Sequence, residues 1–210
     1  MHHYGSGINA IPVLDAYRRH PDDLYLLRVG YGGVMGSITG IDEQGFGSAA
    51  FHSYPDRMVF DPYTGDYGPN FFGHVWNAAA YLVHDKEFGW QGFGGNVHQD
   101  AEVITIEPRD TMRQRVYLAP LGLWLQLDAG TFRAVHFDFA THAVKIDLDP
   151  ADANTAAALL RIEQPATIAG VGTMRLSKTY TRERGGDVIP LGKSIVTIDL
   201  VSDKSGQTRQ

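Results

Sequence analysis

The densest grouping of chemically capable side chains lies between Gly40 and Gly68, in the run GIDEQGFGSAAFHSYPDRMVFDPYTGDYG. It carries Asp42, Glu43, Asp56, Asp61 and Asp66 together with His52, and His74 and Trp76 follow closely. Cleaving a glycosidic bond requires one carboxyl group to protonate the leaving oxygen and a second to activate water or attack the sugar. Glu43 and Asp66 are the acid–base candidates, because each sits among glycines that let a ligand approach the backbone, and Asp61 stands in reserve. His52 and Tyr67 are placed as hydrogen-bonding partners, Tyr63 and Trp76 as flat faces for stacking, and His74 as a further substrate-binding group. Each residue also has a plainer reading. Loop carboxylates commonly cap helices or shape turns, as Asp56 after Pro55 and Asp66 ahead of a helix would, and a histidine among aromatics is often a satisfied structural residue.

The elements that must position these groups are helical before the segment and after it. Asn9 is placed to cap a helix over Ala10–His20 with Ile11, Leu14 and Tyr17 on one side, and Pro21 stops it. Asp22 or Asp23 then caps a second helix through Leu24, Leu26, Leu27, Val29 and Val34, whose glycines at 30, 32, 33 and 36 suit close packing or free the backbone near a ligand. A third helix starts at Pro69 and carries Phe72, Val75, Trp76, Ala79, Ala80 and Val83 at helical spacing until Gly89. Between the second and third helices lie roughly 30 aperiodic residues, far more than the ~4–6 of an ordinary connection, which marks a functional or disordered segment. Phe46, Phe51, Tyr54, Phe60, Tyr63 and Tyr67 argue against disorder.

From Trp90 the period changes to two. Val103–Ile106, Leu121–Leu127, Phe132–Phe139, Val144–Leu148, Ala157–Glu163, Met174–Tyr180 and Ser194–Val201 read as strands, with turns at Asp128-Ala129-Gly130, Ala140–His142 and Gly185-Gly186. The glycines of GWQGFGGNV lack a P-loop lysine and a following helix, so they suit a bulged hairpin. The expected fold is therefore α+β, helical over 1–88 and an antiparallel sandwich over 89–210.

Bulk properties exclude several classes. With 24 acidic against 18 basic residues and a net charge of −6, no basic face is available for nucleic acid. The lack of cysteine removes thiolate metal sites, and the histidines show no metal-ligand spacing, so no metal and no cofactor is expected. No apolar run suffices for a membrane span, and MHHYGSGINA has no signal-peptide features, so the start reads as an internal piece of a longer protein; the residues assign no compartment, and a periplasmic or secreted parent is compatible with them.

The stretch from Leu26 to Val97, LLRVGYGGVMGSITGIDEQGFGSAAFHSYPDRMVFDPYTGDYGPNFFGHVWNAAAYLVHDKEFGWQGFGGNV, resembles the C-terminal part of a family of large bacterial and fungal proteins. This family is described as six-hairpin glycosidase-like, the domain of unknown function 5695, and RVYLAPLGLWLQLDAG extends the likeness into the β half. The resemblance implies the terminal helical hairpins of an (α/α)6 toroid around a carbohydrate groove, followed by a β-rich domain. It also implies a carbohydrate substrate, and further N-terminal hairpins in the parent against which this portion packs. The competing expectations are a non-catalytic carbohydrate-binding or scaffolding module, and a loop whose aromatics merely fill the toroid interior.

Overall fold

The computed structural model describes residues 6–36, 68–149 and 155–203. The chain divides into a helical unit, Met1–Ala78, and a β unit, Ala79–Gln210.

In the helical unit, α1 (Ser6–Arg19) and α2 (Leu24–Gly36) form an antiparallel hairpin. Helix α1 starts four residues before Ala10, so Asn9 and Pro12 both lie inside it. Tertiary burial overrides the local cap, because Gly7, Ala10, Leu14 and Tyr17 form one buried stripe that runs past Asn9. The cap of α2 is Asp23, whose Oδ1 accepts the backbone N–H groups of Tyr25 at 3.1 Å and Leu26 at 3.3 Å. Close packing at the hairpin depends on Gly30. A methyl group there would lie 2.7 Å from Leu14.

The third helix, α3, spans Gly68–Trp76 and stops thirteen residues short of the Gly89 expected from its periodicity. Asn77 ends it by donating from Nδ2 to the Gly73 carbonyl at 2.7 Å, and to that of Gly7 at 3.3 Å. Residues assigned by spacing to its continuation form β1 (Ala80–Asp85) instead. Ala80, Tyr81, Leu82 and Val83 are all buried, so the run is apolar on both faces, and periodicity does not separate a two-sided strand from a buried helix. The helical unit accordingly ends at Ala78, ten residues before position 88.

The β unit contains β2 (Gly89–Phe93), β3 (Gly95–Asp100), β4 (Val103–Pro108), β5 (Arg115–Leu118), β6 (Leu123–Leu127), β7 (Phe132–Asp138) and β8 (Val144–Leu148). It continues with β9 (Ala157–Glu163), β10 (Thr173–Leu176), β11 (Arg182–Glu183), β12 (Gly186–Pro190) and β13 (Val196–Asp203). They form a seven-stranded sheet, β11-β12-β9-β6-β5-β1-β2, and a six-stranded sheet, β10-β13-β8-β7-β4-β3. All pairings are antiparallel except β1 with β5. Leu82, Leu118, Leu125 and Leu160 from the first sheet join Ile106, Val135, Phe137, Ile146 and Ile198 from the second in one buried cluster, as in a sandwich.

Two turns expected as hairpins are corners between the sheets. Asp128–Gly130 leads from β6 in one sheet to β7 in the other, and Gly94 leads from β2 to β3 in the same way. Gly94 has φ 74° and no room for a side chain, since a Cβ would lie 2.5 Å from the Ala79 carbonyl and 2.6 Å from Nε of Arg113. The Arg113 side chain is buried there and ion-paired with Asp110. True hairpins join β11 to β12 through Arg184 and Gly185, both at positive φ, and β7 to β8 through residues 139–143. In the second of these, Oδ1 of Asp138 accepts the N–H groups of Ala140 at 2.9 Å and Thr141 at 3.0 Å.

Candidate functional site

Glu43, Asp61 and Asp66, with His52, Tyr63 and Tyr67, lie outside the described residues. His74 and Trp76 are described, and both are on α3. At 3.6 residues per turn, positions two apart fall about 160° apart around the axis, so they occupy different sides of the helix.

One side of α3 is closed by Gly73, where a Cβ would collide with the backbone of Gly7 and Ile8. On another side Phe72 and Trp76 stack at a centroid distance of 5.8 Å and an interplanar angle of 28°, one turn apart. Phe72 is 57% exposed and Trp76 52%, and Val75 beside them is also exposed. The result is an exposed apolar ledge built on two stacked rings, the kind of surface on which the C–H face of a ligand can lie. His74 is half-buried and faces α2, with Nδ1 3.1 Å from the Val34 carbonyl. A carbonyl only accepts, so Nδ1 holds the proton and Nε2 is the basic nitrogen of the neutral ring. The imidazole is thus oriented by the helix pair and not by the stacked rings.

The β unit holds a second arrangement, on the outward positions of the six-stranded sheet. Thr105 Oγ1 lies 2.8 Å from Nδ1 of His136 on the adjacent strand. Nε2 of His136 lies 3.2 Å from Asp147 Oδ2, and Asp147 Oδ1 accepts from the Thr197 hydroxyl at 2.7 Å. Four side chains from β4, β7, β8 and β13 therefore form one continuous chain across the sheet. Burial raises the proton affinity of Asp147, but the hydrogen bonds from Thr197 and His136, and the charges of His136 and Lys145, outweigh it and hold the carboxyl below its ordinary value. The ionised carboxylate can only accept. Nε2 of His136 therefore donates to it, and Nδ1 shares a hydrogen with the Thr105 hydroxyl, which can either give or accept one.

This order of hydroxyl, imidazole and carboxylate matches a base-activated nucleophile in kind. Acyl transfer also needs convergent N–H donors for the oxyanion, and the backbone groups of β4, β7 and β8 are engaged in paired ladders. The chain acts as a cross-strand polar rung. Beside it Val103, Asp138, Lys145, Asp199 and Val201 border a concavity of about 370 Å³. Sequence reasoning missed all four members of the rung. Their only signal is that each occupies an outward position of an alternating strand, and that becomes a constellation only once the register is known.

Among the described residues, no group of three or more His, Asp or Glu side chains is arranged to hold a metal ion, and no helix is long and apolar enough to cross a membrane.

A helical unit bearing an exposed aromatic ledge, followed in the chain by a two-sheet β unit, defines an α+β protein of two compact parts. The chain belongs to a family of unknown function, DUF5695, whose profile matches residues 1–198. No curated protein and no solved structure matches it.

Proposed function

We propose that this chain is the C-terminal portion of a glycoside-hydrolase-like protein that engages an oligo- or polysaccharide through its helical unit. The observation that carries the reading is the half-exposed Phe72–Trp76 stack, on the helix that follows the acidic and aromatic segment in sequence. A saccharide packs the C–H face of a ring against Trp76, while Glu43 and Asp66, with Asp61 in reserve, supply acid–base chemistry. His52, Tyr63 and Tyr67 are proposed as its further contacts. The helices belong in this reading to the terminal hairpins of a toroid, with additional hairpins in the parent.

Trp76 provides the test, because Trp124 is buried and Trp90 is partly buried against the sandwich core. Titrating the full chain with neutral oligosaccharides should change the Trp76 emission saturably, and Trp76→Ala should remove the response. A response that persists in Trp76→Ala rejects the ledge as the contact surface. Hydrolysis is tested in the longer parent, where Glu43→Gln and Asp66→Asn should each abolish product formation from a polysaccharide panel. Unchanged turnover in both rejects the carboxylate pair.

A non-catalytic binding module is the second reading, and one observation favours it. His74, the titratable side chain of α3, is turned to the Val34 carbonyl on a different side from the ledge, so α3 brings no acid–base group of its own to the stacked rings. That reading predicts saturable binding and no product.

A further inference from the structure

The β unit carries a cationic cleft with no part in the ledge or the polar rung. Between Thr173 and Arg184 the chain has Arg175, Lys178, Arg182 and Arg184 against one carboxylate, Glu183, although its overall charge is −6. This stretch runs from β10, an edge strand of the six-stranded sheet, to β11, an edge strand of the seven-stranded one. A cleft of about 330 Å³ lies along it, within the size range of small-ligand sites.

Ile162, Met174, Leu176 and Tyr180 form its apolar part, continuous with the rim of the sandwich core. Lys178, Arg182 and Arg175 supply its charge, and Thr179 adds a hydroxyl. Arg184, outside the cleft, lies 4.0 Å from Asp128. Among the described residues no carboxylate comes within ion-pair distance of Lys178 or Arg182. Asp187 also lines the cleft and stands directly opposite Arg182 in the β11–β12 register, yet does not close on it.

We infer that this cleft binds an acidic saccharide, one oxyanion between Lys178 and Arg182 and one sugar face on the apolar wall. Two unpaired cations favour an oxyanion, and the guanidinium fork matches a carboxylate or sulfate edge. Asp187 repels a second negative charge placed close to the first and so favours the widely spaced carboxylates of a uronide over the closely spaced charges of a polyphosphate. Tyr180 and Leu176 offer the surface that an inorganic ion would leave unused. The choice of a saccharide rests on the function proposed above; the preference for an oxyanion rests on the cleft alone.

The experiment is a calorimetric titration of the full chain with tetragalacturonate, maltotetraose and sodium sulfate at constant ionic strength. Trp76 emission is followed in parallel. Tetragalacturonate should bind saturably, and the double variant K178A/R182A should weaken it at least about tenfold, the loss expected for one or two charge-assisted hydrogen bonds. Lys178→Arg should preserve binding, and Asp187→Asn should tighten it. Unchanged affinity in K178A/R182A, or sulfate binding as tightly as the uronide, overturns the inference. Lys178 and Arg182 are exposed, so the variants should keep the parent melting profile. The two proposals fail separately. A Trp76 response to maltotetraose with uronide binding indifferent to K178A/R182A sinks the cleft and leaves the ledge, whereas cation-dependent uronide binding with Trp76 silent throughout does the reverse.

Discussion

Phe137 in the sandwich and Trp76 on α3 are both large aromatic side chains at regular positions in their elements, yet Phe137 is buried and Trp76 is half exposed. Phe137 converges with Leu82, Leu118 and Ile146 into a cluster drawn from both sheets, and the outward positions around it pair hydroxyl, imidazole and carboxylate with one another. In the helical unit Leu14, Tyr17, Leu27 and Val34 are buried, but Phe72, Val75 and Trp76 share an exposed side of one short helix. Burial that completes a core is accounted for by folding. A contiguous apolar patch left in water is a different kind of feature and points to a ligand or partner.

Breaking the sandwich core should have the largest effect. Phe137→Ala removes a buried ring from the junction of both sheets and should cost about 3–5 kcal/mol, read as a lower urea midpoint for unfolding of the β unit. The helical unit should respond most to Gly73→Ala. Its new methyl group meets the Gly7 and Ile8 backbone, which cannot rotate away as a side chain can, so α3 should lose about 1–3 kcal/mol. Thermal unfolding followed by helical circular dichroism measures it. A melt equal to that of the parent would mean that the α1–α3 contact is not a determinant of the unit.

These two sites also differ in how readily sequence reveals them. Phe137 lies in a run, Val135 to Asp138, whose alternation marks both the strand and its inward face, and Leu123–Leu127 and Val144–Leu148 are legible for the same reason. Alternation reports on one strand at a time and says nothing of its neighbours. Asp128–Gly130 therefore resembles a hairpin turn although it crosses between sheets, and β1, buried on both faces, resembles the end of a helix. The rung is hidden more deeply, because His136 meets residues 31 and 11 positions away and Asp147 meets one 50 away. The ledge is half visible: spacing places Phe72 and Trp76 on one face but does not say whether that face is covered.

The rung itself should respond to acid. The Asp147 carboxyl titrates below its ordinary value of 3.8 in the folded chain, so its contribution to stability is present above that value and is lost as pH falls through the lowered one. Asp147→Asn should cost roughly 1 kcal/mol at neutral pH, as a typical net hydrogen bond does, and should flatten the loss of stability below the ordinary carboxylate value. Urea unfolding at a series of pH values reads both effects. Parallel pH profiles for the two proteins would show that the carboxylate is no better stabilised in the fold than out of it.

The smallest expected effect on stability is the one that sharpens the contrast most. Trp76→Ala removes a partner of Phe72 one turn away, and such pairs on an exposed helix face contribute about 0.2–0.5 kcal/mol. Because Trp76 is half in water already, its truncation should cost well below that of a fully buried ring, and the melting profile should move only slightly. Phe137→Ala and Trp76→Ala each delete one aromatic ring, yet their costs should differ several-fold. If Trp76→Ala destabilises the helical unit by an amount comparable to Phe137→Ala in the sandwich, then the indole is a folding element and the ledge loses its claim to be a binding surface. If the cost stays within a few tenths of a kcal/mol while the saccharide response disappears, the ring is held in water for contact with a ligand.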